Sequence, residues 1–252
     1  MPIINLAYWV NWWWGGWGWQ PWANTIAYWT LDNTLADSSW NGYTLTNAWE
    51  WTFVQEISWI NRYMLYCNGN WYWTGNPWMW WVYTQSLPNS INDITLNIWA
   101  KCLYNSGAYY ARWMFDTHLN SSSNWVRQET YWGNVYAHVW NGSWNVTSVN
   151  ISNPDTYMPK WSLWTITYSR TTKVLQIYMD GVLNSSGVSS YNPSNNWLSY
   201  FTLWIWFATN QSGQYRRTFY GYIWATVLED KVRTAQEISD YYNQTKWDYW
   251  IS

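Results

Sequence analysis

The stretch KWSLWTITYSRTTKVLQIYMDGVLNSSG, residues 160–187, decides the fold. Two runs in it, SLWTITYS and VLQIYM, are dense in β-branched and aromatic residues. Such side chains fit a pleated, half-buried surface, so both runs read as strands. Asp180-Gly181 then separates VLQIYM from VLNSSG. Asp and Gly tolerate the positive φ that a type I′ turn requires, so the spacing predicts a β-hairpin.

The same pattern recurs along the chain. DITLNIWAK, residues 93–101, alternates, with Ile94, Leu96, Ile98 and Ala100 on one face. Turn-forming clusters recur at short intervals: DNTLADSS, NSSSN, NPSNN and NQSG. Many short strands at this spacing predict an all-β sandwich or barrel. One helix stands out. In RTAQEISDYYNQT, Thr234 is followed three residues later by Glu237, a capping-box pattern. Ile238, Tyr241 and Tyr242 then share a helical face, so a short helix should close the chain and pack on the sandwich.

Composition excludes several function classes. Only 10% of the 252 residues are charged, and the net charge is -2. That gives no electrostatic basis for nucleic acid or an anionic membrane surface as partner. Polar residues interrupt every apolar run before the ~20 residues a spanning helix needs. The opening MPIINLAYWVN has neither the basic n-region nor the cleavage site of a secretory signal. Cys67 and Cys102 are too few for a disulfide scaffold or a zinc site; one bridge and two separate buried thiols both fit.

Three blocks together resemble a known family. AYWTLDNTLADSSWNGYTLT resembles the opening of laminin-G-like, concanavalin A-like jelly-roll domains, which carry a strand, an Asp and an Asp-x-Ser-Gly-Asn-Gly turn. The stretch at 160–187 resembles their paired central strands, with Trp161 at the start. FYGYIWATVLEDKVRTAQEISDYYNQT resembles their closing strand and helix. The resemblance implies a two-sheet antiparallel jelly-roll sandwich with one short C-terminal helix. It places the domain at residues 24–246, after a linker over 1–23 and before a tail over 247–252.

The resemblance also bears on NWWWGGWGWQPW, residues 11–22. The chain holds 31 Trp and only 13 Gly. In DSSWNGY, Trp40 stands where the family turn carries Gly, and that turn needs a positive φ. With Gly in place of Trp, residues 11–22 become a flexible glycine linker. The reading is that many of these tryptophans are glycines, written as Trp because UGA, a glycine codon in some bacterial codes, was translated with a table that reads it as Trp. Trp12, Trp13, Trp14, Trp17, Trp19 and Trp22 fall in that linker, and Trp40, Trp71 and Trp247 in turns. They should point to solvent or distort the loop, and several of the turn positions should show a positive φ. Trp99 and Trp161 match the family as Trp and should be largely buried, and Trp29 fits a position where the family often has an aromatic. The rival reading is a truly Trp-rich carbohydrate-binding or membrane-interface surface, which would expose large apolar patches.

Catalysis finds little support. Glucanases of this fold pair carboxylates on one strand, about 5–5.5 Å apart in retaining enzymes. Here Glu50, Glu56, Glu129, Glu229 and Glu237 are scattered, with Glu237 in a capping role and Glu229-Asp230 expected in a solvated turn. His118 and His138 sit in no recognisable constellation with Ser or Cys.

For a metal, the resemblance implies Ca²⁺, which takes six to eight oxygens. Asp32, Asp37 and Asn41 lie in the matching opening loop. The acidic pair that relatives carry in the closing strand is replaced by Trp224 and Ala225, and the alternative is that Asp37 caps a turn. For a glycan, Tyr109, Tyr110, Tyr131 and Tyr136 in the middle region are candidate stacking platforms, or ordinary strand residues. By fold analogy, the expectation is a non-catalytic recognition or adhesion module, extracellular or on a cell or virion surface. Its partner would be a glycan or surface protein, and its context a larger multidomain protein such as a bacterial surface or phage tail protein. A structural spacer and a glycoside hydrolase relative are the alternatives.

Overall fold

The computed structural model describes residues 22–47, 52–54, 63–68, 82–85, 87–88, 91–103, 112–117, 125–131, 134–140, 146–152, 160–193, 200–205 and 219–246. The elements are β1 (Thr25–Trp29), β2 (Thr46–Asn47), β3 (Thr52–Val54), β4 (Met64–Asn68), β5 (Val82–Gln85), β6 (Asp93–Cys102), β7 (Arg112–Asp116) and β8 (Trp125–Tyr131). They continue with β9 (Asn134–Trp140), β10 (Val146–Ser152), β11 (Trp161–Ser169), β12 (Val174–Met179), β13 (Val182–Val188), β14 (Tyr200–Ile205), β15 (Tyr220–Glu229) and α1 (Ala235–Thr245).

Two antiparallel sheets form the sandwich. The eight-stranded sheet runs β13-β12-β11-β6-β15-β4-β3, with β1 also paired to β15. The seven-stranded sheet runs β10-β9-β8-β7-β14-β5-β2. The deciding stretch supplies β11, β12 and β13. Its turn is the expected one: Asp180 has φ +51° and Gly181 +80°. A Cβ on Gly181 would lie 3.0 Å from the Ser239 Cα and 3.1 Å from the Tyr242 Cβ, so glycine lets the hairpin tip pack against α1.

β6 is covered on both faces, which explains its nearly continuous burial. Ile94, Leu96, Ile98 and Ala100 point into the core between the sheets, as their alternation predicts. On the other face Trp99 lies under α1, its Nε1 donating to Thr245 Oγ1 at 3.1 Å and its ring stacking on Tyr242 at 5.8 Å. Trp29 is fully buried, donates from Nε1 to the Tyr43 carbonyl at 2.7 Å, and stacks on Phe201 at 5.1 Å.

The helix starts as the sequence predicts. Thr234 Oγ1 accepts from the Glu237 N–H, and Glu237 Oε2 accepts from the Thr234 N–H. One expectation is corrected here. Asp230 is exposed, but Glu229 is not in a solvated turn: it ends β15 with 0% exposure. The Arg233 guanidinium grips it with two parallel bonds, Nε to Oε2 at 3.0 Å and Nη2 to Oε1 at 2.6 Å. This fork compensates the buried charge. Burial pushes the Glu229 carboxyl up, and Arg233 opposes that shift.

Trp22 is a second correction. Its ring does not point to solvent. It packs edge-on against Tyr241 at 5.7 Å, with the Arg233 guanidinium 3.4 Å from its centroid. A cation over an indole face is attractive, and this contact holds the chain to α1 before β1 begins. Trp161 is half-buried rather than buried, lying edge-on to Trp224 at 5.7 Å. Trp40 has φ +74° and 94% exposure. Trp12, Trp13, Trp14, Trp17, Trp19, Trp71 and Trp247 lie outside the described residues. Cys102 is buried at the end of β6. Among the described residues no helix is long and apolar enough to cross a membrane.

Candidate functional site

The outer face of the seven-stranded sheet gathers ring, hydroxyl and amide side chains. In β9, NVYAHVW, Val135, Ala137 and Val139 enter the core. The alternation turns Asn134, Tyr136, His138 and Trp140 outward, where each is half-buried. Register extends this line sideways. Tyr136 pairs with Asn150 on β10 and Glu129 on β8; His138 pairs with Ser148 and Arg127. Paired residues of an antiparallel ladder share a face. The His138 row continues through Asp116 on β7 and Thr202 on β14 to Tyr83 on β5.

The side chains on this face are tied together. Tyr136 and His138 stack, with centroids 5.5 Å apart and planes 10° apart. Asn134 Nδ2 donates to the Tyr136 hydroxyl at 3.2 Å. His138 Nδ1 and Ser148 Oγ share a hydrogen bond of 2.6 Å, and Asn150 Nδ2 donates to Ser152 Oγ at 3.3 Å. Arg127 sits low in the face at 9% exposure. The result is a shallow field of ring edges, hydroxyls and amides over a rigid three-strand ladder. Such a surface suits a ligand with many hydroxyls and apolar C–H patches, because hydroxyls and amides both donate and accept.

His138 with Ser148 is also a base beside a hydroxyl, the first part of a nucleophilic site. A hydrolase further needs a group orienting the imidazole and N–H donors for an oxyanion. Around the pair, Tyr136 and Asn150 supply a ring and a neutral amide, and Arg127 lies opposite His138 in register.

Of the four tyrosines singled out from sequence, Tyr136 lies at the centre of this face. Tyr131 is in β8, opposite Asn134 in register. Tyr109 and Tyr110 lie outside the described residues. Sequence reasoning missed Arg127, Ser148 and Asn150, and weighed His138 only as a catalytic base. The signal for His138 was present: NVYAHVW alternates small apolar residues with Asn, Tyr, His and Trp.

The opening loop is a second cluster. Asp37 Oδ1 accepts from the N–H groups of Tyr28 at 3.0 Å and Ser39 at 2.8 Å. Its Oδ2 accepts from Ser39 Oγ and the Tyr43 N–H, each at 2.9 Å. Asn41 donates from Nδ2 to the carbonyls of Thr25 at 2.8 Å and Ile26 at 2.9 Å. Asp32 Oδ1 accepts from the Tyr63 N–H at 2.8 Å. Asp37 and Asn41 fasten the loop to β1, and Asp32 ties it to the residue that precedes β4. A Ca²⁺ ion drawing on Asp37 would compete with four donors already in place. Among the described residues no group of three His, Cys, Asp or Glu side chains is arranged to hold a metal ion.

No family model matches the sequence, and no curated protein matches it. Solved structures do. The chain is similar to the binding domain of botulinum neurotoxin DC in complex with SialylT, with a TM-score of 0.68, 12% identity, and coverage of 88% of this chain and 51% of that one. It is similar to the same domain in complex with rat synaptotagmin II, with a TM-score of 0.65, 13% identity, and coverage of 87% and 51%. A structure of botulinum neurotoxin type C, whose cell entry is described as dependent on two ganglioside molecules, gives a TM-score of 0.67, 14% identity, and coverage of 87% and 51%. At these identities the likeness is one of fold. The chain spans about half the length of the chains it matches.

Proposed function

We propose that this chain is a non-catalytic recognition module that binds a glycan on the outer face of its seven-stranded sheet. The observation that carries the reading is the β9–β10 surface, where the stacked Tyr136 and His138 lie beside Asn134, Ser148 and Asn150. The ganglioside and SialylT named for two of the structural neighbours support a sugar as ligand class. The module is of the laminin-G-like kind, works outside the cell or on a cell or virion surface, and belongs to a larger protein such as a bacterial adhesin or phage tail component.

Part of the proposal concerns the tryptophans. Positive φ and near-complete exposure at Trp40 support the reading that this codon specifies glycine. Trp22, packed on Arg233, does not share that support. Codons in the gene decide the matter: UGA at residue 40 is expected, and UGG there overturns it.

A glycan array, run with and without Ca²⁺, tests the function. Binding to a defined set of oligosaccharides is expected. Absence of binding across acidic and neutral glycans would leave a spacer role, and turnover of a β-glucan would make the chain a hydrolase. Binding lost on chelation would show that calcium is needed, with Asp32, Asp37 and Asn41 the candidate ligands.

A further inference from the structure

We propose that β13 is a self-association edge, and that two copies of this chain pair through it side by side. The inference is independent of what the outer face of the other sheet binds. β13 ends the eight-stranded sheet: it pairs with β12, and among the described residues no second strand pairs with it. Alternate N–H and C=O groups of such a strand point outward and can template another strand.

Edge strands that remain alone are usually blunted by charge, Pro or shortness. VLNSSGV is seven residues long with no charge and no Pro. Its apolar side chains are out in solvent: Val182 is 64% exposed, Leu183 43% and Val188 70%. One blunting device is present. A bulge at Asn184, whose Nδ2 donates to the Val182 carbonyl at 2.9 Å, interrupts the ladder near the start of the strand. Beyond it, Ser185 to Val188 pairs regularly with β12 and offers a straight outward edge.

The flank below β13 is uncharged as well. β10, the edge of the other sheet, is VTSVNIS, with Val146 39% exposed. The two edges are joined. Thr147 Oγ1 donates to Ser189 Oγ at 3.1 Å, and a Cβ on Gly187 would lie 3.0 Å from Val149 Cγ1. On this side the two edge strands, β13 and β10, carry no charged residue. A second copy suits it because both surfaces lack charge to repel one another, and identical edges close into a two-fold dimer rather than a fibre.

Antiparallel pairing of identical strands sets the two-fold axis perpendicular to the sheet. Both sandwiches then keep the same orientation, and the two seven-stranded faces look the same way. A dimer of this kind presents two Tyr136 surfaces to one target surface. The flank is about 24 Å long and about 10 Å deep, smaller than a standard stable interface. The dimer should accordingly dissociate on dilution.

Sedimentation velocity on the whole chain, across about three decades of concentration, tests this. A monomer–dimer equilibrium is expected. Val188→Lys, at an exposed site, should give monomer throughout with an unchanged melting temperature. A wild type that stays monomeric at the highest concentration overturns the proposal, as does a dimer that Val188→Lys leaves intact. On a surface dense in a bound glycan, wild type should be retained about 100-fold more tightly than the variant, with equal affinity for that glycan free in solution. If no glycan binds, the sedimentation result stands by itself.

Discussion

Trp40 and Gly42 flank Asn41 with almost the same positive φ, +74° and +79°. The left-handed region costs a residue with a Cβ roughly 1–2 kcal/mol and costs glycine little. At 94% exposure the indole at 40 gains no burial in return. Trp40→Gly should therefore raise stability, by about 0.5–1 kcal/mol once the looser unfolded chain of glycine is subtracted. Trp99→Ala, beneath α1, should lower it by about 3–5 kcal/mol. Denaturant unfolding of both variants checks the contrast. A destabilising Trp40→Gly would mean that the indole at 40 is the native residue there.

Asp37 holds the same turn from below. Asp37→Ala leaves the N–H groups of Tyr28, Ser39 and Tyr43 without their acceptor, and an unmet buried donor costs about 1–3 kcal/mol. A loss of about 2–3 kcal/mol is expected. On the reading that Asp37 acts as a turn cap through these hydrogen bonds, adding Ca²⁺ should leave the melting temperature unchanged. An ion bound at 100 times its Kd would instead add about 2.7 kcal/mol, and a rise of that order would establish the metal.

Glu237 predicts an acid transition. Burial alone would raise its carboxyl, but Lys231, the Thr234 N–H and Arg233 together pull it down to about 2. A carboxyl depressed on folding stabilises above its unfolded pKa, near 4.5, and that contribution fades as pH falls toward 2. Glu237→Gln should melt below wild type at pH 7, and the gap should close between pH 4.5 and 2. A gap that persists at pH 2 would place the role of Glu237 elsewhere.

The fold was legible where the local signal and the tertiary context agree. Asp180-Gly181 dictates its turn whatever surrounds it, and the Thr234–Glu237 cap is written within four residues. The alternation of β6 showed its core face. It did not show that Trp99 is also covered, because the covering helix begins well over a hundred residues later. Glu229 was misread for the same reason. Its burial depends on Arg233, and a charged dipeptide before a helix ordinarily sits in water. The candidate face was visible only in part. Tyr136 drew notice as an aromatic, but Ser148 and Asn150 acquire meaning from the β9–β10 register, which no single strand encodes.

The central claim is that Tyr136 and its neighbours form the ligand surface. The direct measurement is titration calorimetry with an oligosaccharide selected on the array, comparing wild type with Tyr136→Ala and with Trp161→Ala on the opposite sheet. Tyr136 is half-buried and outward-facing, so its removal should leave the sandwich folded. Tyr136→Ala should weaken binding at least about tenfold, a loss of about 1.4 kcal/mol, and Trp161→Ala should not change it. Full affinity in Tyr136→Ala, or a loss confined to Trp161→Ala, would put the ligand on the other face and contradict the account.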